Sequence, residues 1–129
     1  KPLIGFIGQG WIGKNYADDF ESRGFEVVRY ALEEPFIKNV DRIKECEIVF
    51  IAVPTPSTPK GFDSSILQKA ITNVGKGKIV VIKSTLLPGT TEKLQKIKEK
   101  QPYNKIHNHY ETHIFLKFHF HKLNKLYKI

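Results

Sequence analysis

The chain has 129 residues, 40% of them hydrophobic and 26% charged, enough for one domain with a true core. It is short for an enzyme with separate cofactor and substrate domains. Its net charge of +8 is unevenly placed: residues 1–100 carry 16 basic and 12 acidic residues, residues 101–129 five lysines and one glutamate. Nucleic-acid binding would rest on that tail alone, so nucleic acid is not expected as a partner. The single Cys46 excludes an internal disulfide and a cysteine-based metal cluster, and it fits a reducing, cytoplasmic compartment. No apolar run approaches the roughly 20 residues of a membrane span, so no membrane partner is expected. With no methionine, even at position 1, the chain reads as a fragment. Its oligomeric state is not legible.

The apolar run Leu3–Ile7 predicts a strand that ends at Gly8. Gly8, Gly10 and Gly13 then stand in G-x-G-x-x-G register, and a helical pattern opens at Trp11. In such a turn the first glycine allows a tight bend and the second lets a pyrophosphate approach the backbone. The third lets the helix pack close to the sheet. Free N–H groups at the positive end of the helix dipole favour the phosphates. Strand, turn, helix and second strand together predict a dinucleotide site built on Gly8, Gln9, Gly10, Trp11, Ile12 and Gly13.

The helix Trp11–Arg23 carries Ile12, Tyr16, Ala17 and Phe20 at helical spacing and stops at Gly24. Phe25–Tyr30 is the second strand, whose end is where an acidic residue should take the adenosine ribose, about 20 residues beyond the glycines. Glu33 is the candidate, with Glu34 next; the alternative is two surface glutamates in a loop before Pro35. Arg29 would suit a 2′-phosphate but lies within the strand, so NAD is expected ahead of NADP.

A short helix is expected over Asn39–Cys46, capped by Asn39 or Val40-Asp41. Ile48–Val53 is nearly all apolar, as in a strand buried on both faces of a parallel sheet. It runs into Pro54-Thr55-Pro56, a rigid loop at a carboxyl end where open α/β sheets bind ligands; the alternative is a plain proline-rich connection. Asp63 or Ser64 caps a helix to Val74 that Gly75-Lys76-Gly77 ends. Lys78–Ile82 is a fourth strand, followed by Lys83-Ser84-Thr85. Lys83 is expected to anchor this loop by hydrogen bonds, since no nucleophile or carboxylate stands beside it. Pro88-Gly89 turns the chain, and Thr90 or Thr91 caps a helix to about Lys100.

Three stretches, Ile4–Gly13, Ile48–Pro56 and Ile82–Glu92, resemble the NAD-binding domain of the UDP-glucose/GDP-mannose 6-dehydrogenase family. The second and third are the more specific, and the resemblance covers residues 1 to about 97. It implies that Gly8–Gly13 hold the pyrophosphate of NAD while Thr55 and Thr85 line the cleft. It further implies an oxidoreductase that converts a nucleotide sugar's C6 alcohol to a carboxylate in two NAD-dependent steps, a reaction of polysaccharide biosynthesis. Ala31 stands where the family closes its second strand with an acidic residue, and a strand and a helix usual before Ile48 are missing. The family's catalytic cysteine, lysine and asparagine lie beyond this chain, and Cys46 is not that nucleophile. No catalytic residue is therefore expected here, and a nucleotide sugar becomes a partner only with the missing domains. The alternatives are a non-catalytic dinucleotide-binding module and a fragment of another NAD-dependent hydroxyacid dehydrogenase.

The expected fold is an α/β, Rossmann-type domain over residues 1–100. Four parallel strands lie in the order 25–30, 3–7, 48–53, 78–82 (2-1-4-5 in the family's numbering), flanked by helices. Residues 101–129 form a basic, His- and aromatic-rich tail, irregular or single-stranded, that reads as a non-native continuation. The tail has no glycine, alanine or valine and holds all five histidines. Ile114–His121 alternates like a half-buried strand suited to cover the sheet edge. The pairs His107/His109 and His119/His121 lack a defined metal-ligand spacing, so no metal is expected.

Overall fold

A computed structural model describes residues 1–84, 92–94 and 105–108. Its elements are β1 (Ile4–Ile7), α1 (Trp11–Ser22), β2 (Val27–Tyr30), a 3-10 turn (Ile37–Asn39), α2 (Val40–Ile43) and β3 (Ile48–Ile51), followed by β4 (Ser57–Thr58), β5 (Gly61–Phe62), α3 (Ser65–Thr72), β6 (Ile79–Ile82) and β7 (Lys105–Asn108). Five strands form one sheet in the order β2-β1-β3-β6-β7, every pair parallel. The first four match the expected order. The fifth comes from the tail: β7 pairs with β6 from Ile79↔Lys105 to Ile82↔Asn108, covering the edge expected for Ile114–His121, which lies outside the described residues. The helix expected over residues 90–100 is described only at 92–94.

Parallel strands need crossovers, and the helices that supply them bury both sheet faces. The alternation of β1 divides the core in two. Ile4 and Phe6 join Ala17, Phe20, Phe25, Phe50 and Val81 beneath α1, while Ile7 joins Ile43, Val49, Leu67, Ile71, Val80 and Ile82 beneath α2 and α3. The α1 side is aromatic, with Phe6 stacked on Phe50 at 4.9 Å and Phe25 edge-on to Phe20 at 5.4 Å. Gly5 lies on the other side, where a Cβ would stand 3.0 Å from Cys46 Sγ, so the missing side chain lets the α2 segment approach the sheet.

Between β2 and β3 there is only the 3-10 turn and the single turn of α2, where a helix over 39–46 was expected. Asn39 does not cap it; its side-chain amide donates to the Arg29 carbonyl at 2.9 Å and ties the segment to β2. Asp63 does close the start of α3, accepting the Ser65 N–H at 2.9 Å, and hydrogen bonding from Ser65, side chain first and backbone second, lowers its pKa. The expected proline-rich loop contains a small hairpin, β4–β5, closed by the Thr58 hydroxyl donating to the Gly61 carbonyl. Among the described residues no helix is long and apolar enough to cross a membrane.

Candidate functional site

Beyond the carboxyl ends of β1, β2, β3 and β6 lies a cleft of about 710 Å³. It opens where the strand order reverses, since α1 leaves β1 toward β2 while β3 lies on the other side. Gly8, Gln9, Gly10, Trp11, Ile12 and Gly13 all line it.

The three glycines are required for different reasons. Gly8 has φ +97°, and a Cβ there would run into the Ala52 carbonyl oxygen. A Cβ on Gly13 would strike the Gly8 carbonyl oxygen, so α1 is seated directly on the turn. Gly10 differs: an added Cβ meets no protein atom within 4 Å. Its bareness keeps open space that belongs to the cleft. Gly10 is also the N-cap of α1, with no side-chain cap and no acidic residue in the first turn. The N-terminal N–H groups of the helix thus have no side-chain competitor for an anion.

Gln9 is fixed from two sides. Its amide donates to the Gly8 carbonyl at 2.9 Å, and its oxygen accepts from Arg29 Nη1 at 3.2 Å. Arg29 also donates to Asp18 at 2.7 Å and to Glu21 at 3.1 Å, with 15% of its side chain exposed. Burial opposes the charge of Arg29, but the two carboxylates outweigh it and raise its pKa; the Arg29 hydrogen bond, then Lys14, lowers that of Asp18. Arg29 therefore serves the glycine turn and is not free for a 2′-phosphate.

The β2 end of the cleft is looser. Ala31, Leu32 and Glu33 line the cleft, with Leu32 and Glu33 exposed. At the opposite end, Thr55 is half-buried beyond Pro54, and Pro54 rather than Thr55 contributes to the described lining. Thr85 lies outside the described residues.

Ser84 carries a role that residue patterning missed. Its hydroxyl donates to the Val53 carbonyl at 2.6 Å and accepts the Val53 N–H at 3.0 Å, extending the β3–β6 ladder by a side chain. A small hydroxyl residue just past a buried strand was the available signal. The Lys83 backbone N–H donates to the Ile51 carbonyl at 2.7 Å, a ladder bond that owes nothing to its side chain. Its ammonium lies 4.1 Å from the Tyr16 ring centroid.

Cys46 is buried beneath β1, and burial pushes its thiol up to about 11, unlike a nucleophile's. Among the described residues no three His, Cys, Asp or Glu side chains are grouped to hold a metal; His109, His119 and His121 fall outside them.

The sequence model of the UDP-glucose/GDP-mannose dehydrogenase family, NAD binding domain, matches residues 32–117. The chain belongs to this family. The match continues beyond residue 100 into the tail, while the glycine turn precedes it. A UDP-N-acetyl-D-glucosamine 6-dehydrogenase of Salmonella typhi is 42% identical over 120 aligned positions, covering 69% of this chain and 28% of that protein. A UDP-N-acetyl-D-mannosamine dehydrogenase of Pyrococcus horikoshii is 29% identical over 131 positions, covering 74% of this chain and 31% of the relative. That alignment is longer than this whole chain, so the relative has residues with no counterpart here. The solved Pyrococcus horikoshii structure superposes with a TM-score of 0.68 at 28% identity, over 76% of this chain and 32% of the other. The chain thus spans about a third or less of the length of the curated relatives it matches. Family and fold agree with the cleft: this is an NAD-binding, Rossmann-type domain of the nucleotide-sugar dehydrogenases.

Proposed function

We propose that this chain is the NAD-binding portion of a nucleotide-sugar 6-dehydrogenase that oxidises the sugar C6 alcohol to a carboxylate when completed by catalytic and sugar-binding domains. The sugar is UDP-linked in this reading, in keeping with the names of the curated relatives, and the product feeds cytoplasmic polysaccharide biosynthesis. Residues 1–100 act as the cofactor domain, with the tail adding the edge strand. The Gly8–Gly13 turn holds the pyrophosphate, Glu33 reaches the adenosine ribose, and Thr55 and Thr85 wall the nicotinamide ribose.

One observation carries the reading: Gly10 caps α1 with open space on its outer side, at the floor of a cleft wide enough for a dinucleotide. Calorimetric titration of the 129-residue chain with NAD, with NADP and Gly10→Glu as controls, tests it. Saturable NAD binding lost in the variant supports the site; no binding by a folded chain overturns it. NAD reduction with a UDP-sugar by this chain alone would overturn the assignment of catalysis to other domains.

A further inference from the structure

Among the described residues two cations line the cleft without a task in the cofactor reading: Lys69, exposed on α3, and Lys83, which is buried. Lys83 follows β6, two residues beyond Val81, which packs in the aromatic core under α1. Side chains alternate along a strand, so Lys83 projects to the α1 side. There it is only 5% exposed, it lines the cleft, and its ammonium meets the face of Tyr16. None of the ion pairs among the described residues includes it. A ring face offsets only part of the cost of burying a cation. A charge kept there at such a cost acts on whatever fills the cleft.

The strand order tells which part of the ligand that is. The acidic or ribose-binding end of such a cleft lies over β2 and the pyrophosphate over the β1–α1 turn. The remaining half therefore lies over β3 and β6, each about 4.8 Å further along the sheet. Lys83 sits at that nicotinamide end. The oxidised ring is a pyridinium with one positive charge; the reduced ring is neutral. A hydride delivered to the ring, two electrons with their proton, removes that charge.

We propose that Lys83 sets the redox-state preference of the site, making it bind NADH more tightly than NAD and easing hydride arrival by relief of like-charge repulsion. The proposal rests on the cofactor-site reading above. At an effective dielectric of about 20, a like charge about 10 Å away changes affinity roughly tenfold.

The test measures the affinities of the 129-residue chain, Lys83→Met and Lys83→Arg for NAD, NADH and ADP-ribose, with circular dichroism confirming the fold. The expected result is a preference for NADH that falls about tenfold in Lys83→Met and persists in Lys83→Arg, with ADP-ribose changing in parallel with NADH. An unchanged ratio in Lys83→Met overturns the proposal, whether all three affinities fall together, as for a phosphate contact, or none moves. A wild-type chain that binds none of the three overturns the cofactor-site reading and this proposal with it. A wild-type chain that binds all three without preferring NADH overturns only this one.

Discussion

The two ends of the glycine turn's cleft are built by different means. At the β1–α1 end the contacts are backbone: Gly8 against Ala52, Gly13 against Gly8, and a helix N-terminus aimed into open space. At the β2 end the lining is side chains: the strand ends at Tyr30, and Ala31 with the exposed Leu32 and Glu33 follows it. Backbone construction tolerates almost no substitution, while side-chain construction drifts easily. The β1–α1 end should therefore fail abruptly when altered, and the β2 end should respond by degrees.

The largest effect is expected from Gly13→Val. Its side chain must displace the Gly8 carbonyl or lift α1 off the sheet, so urea melts should show a loss of about 3 kcal/mol or more. Gly10→Glu is the sharp contrast: stability within roughly 1 kcal/mol of wild type, yet NAD affinity reduced about a hundredfold in calorimetry. Equal loss of fold in the two variants would erase the distinction between a packing glycine and a ligand glycine.

Ser84→Ala removes both hydrogen bonds to Val53 and should cost about 1–3 kcal/mol of stability, since Val53 is left with unmet polar groups. At the β2 end, where the proposed function places the ribose, Ala31→Asp should improve NAD binding several-fold while weakening NADP, and Glu33→Ala should weaken NAD only a few-fold. A larger loss in Glu33→Ala would mean that this end is as firmly built as the other.

The smallest expected effect is on acid stability. Arg29 and Lys14 hold the Asp18 carboxyl below its usual value, so its contribution is present above about pH 4 and is lost as pH falls through the lower folded value. Asp18→Asn should flatten that part of the stability–pH curve. An identical curve would show that the exposed pairing contributes nothing measurable.

Patterning along the chain was enough to place β1, β2, β3 and β6 and the order in which they pair. The apolar runs of β1, β3 and β6 suit a parallel sheet covered on both faces, while β2, with Arg29 in it, alternates between half-buried and buried. It was enough also for Gly8 and Gly13, because each answers a backbone constraint that only glycine meets; Gly10 has free space around it and is marked only by the G-x-G-x-x-G spacing. The short connection before β3 was harder: Asn39 has the chemistry of a helix cap, and only the fold shows its amide serving the end of β2. The edge strand Lys105–Asn108 carries no signal of its own in the sequence, and only its pairing with β6 reveals it; Ile114–His121 lies outside the described residues.

What the sequence by itself determined is the parallel sheet, the turn and the dinucleotide class, all of them consequences of periodicity and of glycine's missing side chain. What only the tertiary structure decided is which side chains meet across elements. Arg29 is bound to Gln9, Asp18 and Glu21, Ser84 to Val53, and Lys83 lies against Tyr16. Those partners are 8 to 67 positions apart in the chain, and no local pattern encodes a contact that exists only once β-strands and α1 have closed on one another.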